Sequence, residues 1–155
     1  GKEKFNFEIF SDFNLLPHYN TDDHNQDNWP KTLIELEEKI KKADGVIFVT
    51  PEYNFSVPGY LKNCIDWISR LPNQPLDRKP VCIQSASLGP LGGARVQYHL
   101  RQILVFLNAK VMNKNEIFVT FAKQKFDESS GKLTDDITID FIGKQLDAFY
   151  DFIDE

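Results

Sequence analysis

The chain has 155 residues, close to the roughly 150 of an ordinary domain, so one compact domain spanning residues 1–155 is expected. Its 18 Lys and Arg against 23 Asp and Glu give a formal charge of −5 with no basic run, which argues against nucleic acid as a partner. Hydrophobic residues at 41%, 13 Phe among them, exclude disorder, while apolar runs such as 46–49 and 103–107 fall far short of the roughly 20 residues that cross a bilayer, so no membrane partner is expected.

Phe5, Phe7 and Ile9 alternate with Asn6, Glu8 and Phe10, which predicts a short strand over residues 5–11. Residues 12–28 mix Asn, Asp, His, Pro and Thr as a polar loop does, and Pro30 stands where a helix begins. Leu33, Leu36 and Ile40 recur at helical spacing through Lys42, with Lys39, Lys41 and Lys42 suited to the negative end of the helix dipole. Asp44-Gly45 then turns into the apolar run 46–49, of the kind expected in a strand buried on both faces of a parallel sheet, ending at Thr50-Pro51. Pro58 opens a second helix that reaches Arg70, with Leu61, Ile65 and Ile68 on one face.

Val81, Cys82 and Ile83 predict a third strand, and a Gly-rich loop over 85–93 delivers the chain into a long helix over 94–107. Residues 116–121 read as a fourth strand, and Ile137, Phe141, Leu146, Phe149, Phe152 and Ile153 as an amphipathic final helix. Strict alternation of strand and helix implies an α/β fold with a doubly wound parallel sheet, because each parallel pair needs a crossover and right-handed crossovers pack helices on the sheet.

Cys64 and Cys82 sit in apolar patterns without a C-x-x-C or Cys/His ligand spacing, so both are expected to be buried and inert. Together with the absence of a secretory signal in the opening residues, they point to a reducing, cytoplasmic location. His18, His24 and His99 are scattered without metal-ligand spacing, Asp22-Asp23 reads as solvated, and no serine occupies a G-x-S-x-G elbow. Neither a metal nor a catalytic acid, base or nucleophile is expected.

Ligands of an open doubly wound sheet bind beyond the carboxyl ends of its strands. One segment at such an end is Thr50-Pro51-Glu52-Tyr53-Asn54-Phe55-Ser56-Val57-Pro58, whose prolines stiffen the loop and hold its N–H groups ready for a planar ligand. The other runs through Ser87, Leu88, Gly89, Gly92 and Gly93 to Ala94-Arg95; its glycines allow close backbone approach, and the following helix start favours negative charge. On residues alone each loop is equally an ordinary strand-to-helix connection, with Tyr53 and Phe55 as packing residues and the glycines as turn formers. Arg95 and Arg101 suit a ligand's phosphate, an adjacent subunit or pairing within the monomer.

Taken together, Thr50-Pro51-Glu52-Tyr53-Asn54, Ser56, Pro58, Leu61-Lys62-Asn63 and Ile65-Asp66-Trp67 resemble the signature of the NADPH-dependent FMN reductase family, the flavodoxin-like group of azoreductases, quinone reductases and chromate reductases. Gly89-Pro90-Leu91-Gly92-Gly93-Ala94-Arg95, with Gln97, Leu100-Arg101 and Leu104, resembles that family's second flavin loop and helix. The resemblance implies FMN as cofactor and NADPH or NADH as hydride donor, with N5 of the flavin accepting the hydride and a small-molecule electron acceptor, such as a flavin, quinone or azo compound, following. It assigns the pyrimidine side of the ring to the main chain of Pro51, Glu52, Tyr53 and Asn54, and another side to Ser87, Leu88, Gly89, Gly92 and Gly93.

The family pattern also implies a strand order of 2-1-3-4-5 and, ahead of Phe5, a strand, a Ser/Arg/Asn-containing phosphate loop and a helix. None of these three precedes Phe5 in the sequence, so a further unit of about 30 residues or more is expected before Gly1, and residues 1–155 alone are expected to hold FMN poorly. Aromatic residues after Asn54 and Gly93, namely Phe55, Tyr60, Trp67 and Tyr98, predict a homodimer or homotetramer. Two other functions remain open at this level: a one-electron flavodoxin-like carrier, and a flavin-free interaction domain.

Overall fold

The computed structural model describes residues 4–22 and 28–155. Its regular elements are α1 (Lys31–Lys42), β1 (Val46–Pro51), α2 (Gly59–Ile68), β2 (Pro80–Ala86), α3 (Ala94–Phe106), β3 (Lys110–Val111), β4 (Ile117–Val119) and α4 (Asp136–Asp154). Pro30 and Pro58 are the N-cap residues of α1 and α2, so each proline sits just outside the first helical turn, where its missing N–H costs nothing.

β2 is the axis of the sheet. Along one edge it pairs in parallel with β1, in register from Val46↔Val81 to Pro51↔Ala86. Along the other it pairs first with β3, at Pro80↔Lys110 and Val81↔Val111, and then with β4, from Gln84↔Ile117 to Ala86↔Val119. All these pairings are parallel, so helices rather than hairpins join β1 to β2 and β2 to β3.

Side-chain alternation divides the core between the two faces of the sheet. Val46, Phe48, Val81 and Ile83 point into the larger cluster, with Leu33, Leu36 and Ile40 of α1, Leu61, Ile65 and Ile68 of α2, and Leu100 and Leu104 of α3. Ile47 and Cys82 point the other way and meet Phe149, Phe152 and Ile153 of α4, with Met112 beside them. Both faces of β2 are therefore dry, which explains why residues 81–83 read as an unbroken apolar run. The α/β class with helices on both faces is as the sequence predicts.

The expected strand over residues 5–11 does not form; β1 has no strand on its outer edge among the described residues. Alternation marks a strand only where a partner exists, and here the alternating side chains go separate ways. Phe5 stacks on Phe149 and meets Tyr150 edge-on, Glu8 pairs with Lys39, and Ile9 stays 87% exposed. β1 itself is only partly covered, with Val49 73% exposed, so the expectation of a strand buried on both faces is corrected too. The described strands give the order β1-β2 with β3 and β4 beyond β2, which leaves the expected 2-1-3-4-5 order without observed strands at its first two positions.

Smaller differences concern lengths. The two-residue β3 carries no strand pattern in the sequence, β4 is shorter than the run 116–121, and α2 stops at Ile68 rather than Arg70. Trp67 is buried, with its indole N–H donating to the carbonyl of Pro17 at 2.7 Å, so it belongs to the core and not to an exposed aromatic patch.

Cys64 and Cys82 are both about 1% exposed, and burial pushes each thiol up to about 12. The thiolate, the reactive form, is therefore suppressed at neutral pH. We predict that neither cysteine reacts with an aromatic disulfide reagent in the native protein at pH 8, and that both react in denaturant. Rapid labelling of the folded chain would contradict the packing of α2 and β2. Because the thiols are held above their ordinary value of 9.0, their contribution to stability is whole below that pH and declines as pH rises toward 12.

Candidate functional site

The register Pro51↔Ala86 ends β1 and β2 level with each other, so the two sequence-predicted loops leave the sheet side by side. What each does next differs. The first turns back on itself at once: Tyr53 N–H donates to the Ser56 carbonyl at 3.1 Å, and Ser56 N–H donates to the Tyr53 carbonyl at 2.9 Å. Between them Asn54 and Phe55 both have positive φ, 49° and 65°. Two successive left-handed residues are the signature of a type I′ turn, which prefers Asn-Gly. Phe55 stands where that turn favours glycine, a departure that costs about 1–3 kcal/mol.

That cost is met by contacts with the start of α3. The guanidinium carbon of Arg95 lies 3.9 Å from the centre of the Phe55 ring, and Ser56 Oγ is 3.0 Å from His99 Nδ1. Glu52 makes the most enclosed of these links. Its Oε2 accepts from the backbone N–H of Val96 at 3.1 Å and its Oε1 lies 3.4 Å from Arg95 Nη1, with the side chain only 11% exposed. The N-cap residue of α3 is Gly93, which has no side chain to offer, and the first turn of the helix contains no acid. Glu52 thus supplies from another loop the carboxylate that a helix N-terminus favours.

The second loop is fixed by the sheet instead. Ser87 N–H donates to Val119 at 3.0 Å, while the Ser87 and Gly89 carbonyls accept from Ala122 at 2.9 Å and Phe121 at 3.1 Å. Deeper down, buried Ser85 donates its hydroxyl to the Gly92 carbonyl at 2.7 Å, and fully buried Gln97 donates to Ser85 Oγ and to the Ile117 carbonyl, each at 2.7 Å. This network connects β2, the glycine loop, α3 and β4.

The three glycines of that loop serve different ends. Gly92 (φ 58°) and Gly93 (φ 85°) are left-handed, and a Cβ on them would lie 2.6 Å from the Phe118 carbonyl carbon and 2.6 Å from Ser85 Cβ respectively. The close approach they allow is that of the loop to its own strands. Gly89 has no atom within 4 Å of an added Cβ, so it borders open space, next to Leu88 with 75% of its surface exposed.

The sequence-predicted residues therefore come together at one end of the sheet, but in two roles. Tyr53, Asn54, Leu88 and Gly89 border the surface, with Tyr53 55% exposed, whereas the Glu52 side chain, Gly92 and Gly93 hold the loops in place. The turn amides of Asn54 and Phe55 have no acceptor among the described residues. Exposed apolar side chains, open space at Gly89 and unspent turn amides fit a flat heteroaromatic ring with polar edges such as the isoalloxazine of FMN. They do not fit its phosphate, because the Glu52 carboxylate already stands at the start of α3 and Arg95 is engaged by Glu52 and Phe55.

Residues outside these loops are occupied elsewhere. Arg101 donates to the Met112 carbonyl at 3.0 Å and pairs with Glu116, so both arginines pair within the monomer. His99 is bound to Ser56, and His24 and Asp23 lie outside the described residues. An open cavity bordered by Pro17, His18, Trp29 and Trp67 includes no residue of the two loops, and its lining offers no cluster of reactive groups. Sequence reasoning missed the hairpin, since Asn54 is followed by Phe where a type I′ turn favours Gly, and the Glu52–Val96 and Ser85–Gln97 contacts, since their partners lie 44 and 12 residues apart.

The chain resembles known proteins along most of its length. The family model for NADPH-dependent FMN reductase matches residues 2–124. A quinone reductase of Escherichia coli strain K12 is 54% identical over 138 residues, covering 89% of this chain and 73% of that protein. An NAD(P)H-dependent FMN reductase of Pseudomonas aeruginosa is 45% identical over the same span, 89% of this chain and 74% of its own. Among solved structures, a flavoenzyme NAD(P)H:(acceptor) oxidoreductase of Paracoccus denitrificans superposes with a TM-score of 0.80 at 33% identity, covering 92% of this chain and 77% of that one. A general stress protein of Treponema denticola in complex with FMN, at 16% identity, 76% and 72% coverage and a TM-score of 0.54, shares the fold.

A parallel sheet with helices on both faces and two loops converging at its carboxyl end, together with the likeness to the Paracoccus oxidoreductase, make this a flavodoxin-like oxidoreductase. The chain belongs to the NADPH-dependent FMN reductase family.

The two kinds of glycine make opposite predictions. Gly93→Ala should destabilise the protein by about 1–3 kcal/mol, from the left-handed backbone and the clash with Ser85. Gly89→Ala should stay within about 0.5 kcal/mol of the parent. Thermal denaturation of both variants is the check; equal losses would contradict this division of roles.

Proposed function

We propose that this flavoenzyme uses its two converging loops to hold the isoalloxazine of FMN and to expose it to a nicotinamide donor and a quinone acceptor. The observation that carries the reading is the juxtaposition, at one sheet end, of the Tyr53–Ser56 hairpin and the Leu88–Gly89 shelf. The main chain of Pro51, Glu52, Tyr53 and Asn54 lines the pyrimidine side, with turn amides as donors for its carbonyl edge. Ser87, Leu88 and Gly89 border the ring from the other loop, while Gly92 and Gly93 keep that loop seated on β2 and β4. Leu88 and Tyr53 supply apolar contact area and leave room for a second planar molecule.

When bound, FMN supplies the redox chemistry, taking hydride from NADPH or NADH and passing electrons to the acceptor. The chain's own residues bind and orient: no side chain at the site is required to move a proton. Quinone is preferred within the broader set of flavin, quinone and azo acceptors because the relative named quinone reductase is 54% identical to this chain, against 45% for the one named FMN reductase. No helix among the described residues is long and apolar enough to cross a membrane. We further place the protein in the cytoplasm and read residues 1–155 as one domain. Exposed Phe55, Tyr60 and Tyr98 favour a homodimer or homotetramer, and a monomer in light scattering at micromolar concentration would exclude both.

The test is NADPH oxidation by the full-length, FMN-loaded protein, with benzoquinone, FMN and an azo dye compared as acceptors. Rapid turnover with the quinone is expected; single-electron exchange without NADPH oxidation would make the protein a carrier instead. Leu88→Asp should weaken FMN binding roughly tenfold, the equivalent of about 1.4 kcal/mol of lost apolar contact, as read by flavin fluorescence quenching. Unchanged affinity would remove Leu88 from the ring's surroundings.

A further inference from the structure

We infer that Glu52 is a positioning residue whose carboxylate, spent inside the protein, anchors the flavin-facing hairpin to α3; this rests on the reading that the hairpin holds the ring. Three contacts tie the hairpin to the helix, and they differ in strength. The Phe55–Arg95 stack and the Ser56–His99 hydrogen bond are formed by exposed groups that water can replace. The Glu52 carboxylate is largely removed from water and accepts a charge-assisted hydrogen bond from the Val96 amide, with Arg95 alongside. α3 depends on this contact, because Gly93 cannot cap it and its first turn has no acid.

Glu52 lies directly before the hairpin and directly after the last β1 residue, Pro51. Holding its side chain therefore fixes the direction in which residues 53–56 leave the sheet, including the amides of Asn54 and Phe55. The same contact places a carboxylate at the start of α3, where it would repel a ligand's phosphate. Glu52 thus acts on flavin binding through backbone position, and its carboxylate neither touches the ring nor transfers a proton.

The experiment compares Glu52→Ala and Glu52→Gln with Asp135→Ala in the full-length protein. Asp135 caps α4 in the same chemical way, accepting from Thr138 N–H at 2.8 Å, but lies outside the two loops. Amide hydrogen exchange of the flavin-free protein is the first readout and FMN affinity the second. With Glu52→Ala, exchange at Tyr53, Ser56 and Val96 should accelerate roughly tenfold or more, and FMN affinity should fall by a similar factor. Glu52→Gln keeps an acceptor but loses the charge, and exchange should rise about fivefold; this variant decides the matter if the alanine variant does not fold.

Asp135→Ala should loosen only the first turn of α4 and leave FMN affinity unchanged. Wild-type exchange rates at Tyr53 and Ser56 in both Glu52 variants would overturn the inference. Faster exchange with unaltered FMN affinity would keep the anchor but overturn the placement of the ring on the hairpin. Equal loss of FMN affinity in Asp135→Ala would show that Glu52 acts only through general stability.

Discussion

The parallel pairing of β1 with β2 is the constraint on which the rest depends. Six paired positions, Val46↔Val81 to Pro51↔Ala86, bring both strands to an end at the same height. Parallel pairs cannot be closed by a hairpin, so each strand is followed by a loop that must climb into a helix. Two such loops beginning at the same level are forced to be neighbours. A shift of the register by one residue would turn Val81 and Ile83 toward α4 and Cys82 toward α2, so the division of the core holds the loop geometry in place.

The loops solve the problem of being rigid without regular structure in two distinct ways. The first uses a tight hairpin with an unfavourable Phe at positive φ, and recovers the cost through contacts with α3. The second is fastened to the strand end at β4 and supported beneath by the Ser85–Gln97 network. That network is not free of cost: Gln97 is fully buried, and its Oε1 has no partner among the described residues. A buried polar group that joins four elements specifies their arrangement even where an apolar side chain would pack as well. Both devices keep main chain in one position at the surface, which is what recognition of a ring by its edges requires.

The consequence for binding is a separation of labour. Surface residues at this end, Tyr53 and Leu88, are apolar and open, whereas the charged groups, Glu52 and Arg95, are turned toward each other. Charge at the α3 N-terminus is therefore satisfied before any ligand arrives. An aromatic ring meets little desolvation cost there, and an anionic group would meet the Glu52 carboxylate at the helix start.

The sequence by itself determined the α/β class, the helices α1 to α4, and the location of two loops at strand ends, because these follow from local period and from residues such as Pro58 and the apolar run at 81–83 that act on their immediate neighbours. It also carried the family resemblance, since Thr50-Pro51-Glu52-Tyr53-Asn54 and the Gly89–Arg95 motif are contiguous. Tertiary structure alone decided that residues 5–11 pack singly against α4 and α1 instead of pairing, because alternation describes a strand only when a partner edge accepts its hydrogen bonds. It likewise decided that Gly92 and Gly93 make room for Phe118 and Ser85, and that Glu52 caps a helix starting 42 residues further on. Contacts between distant parts of the chain leave no periodic trace, and whether a glycine faces a ligand or its own strand depends on what the folded chain brings opposite it.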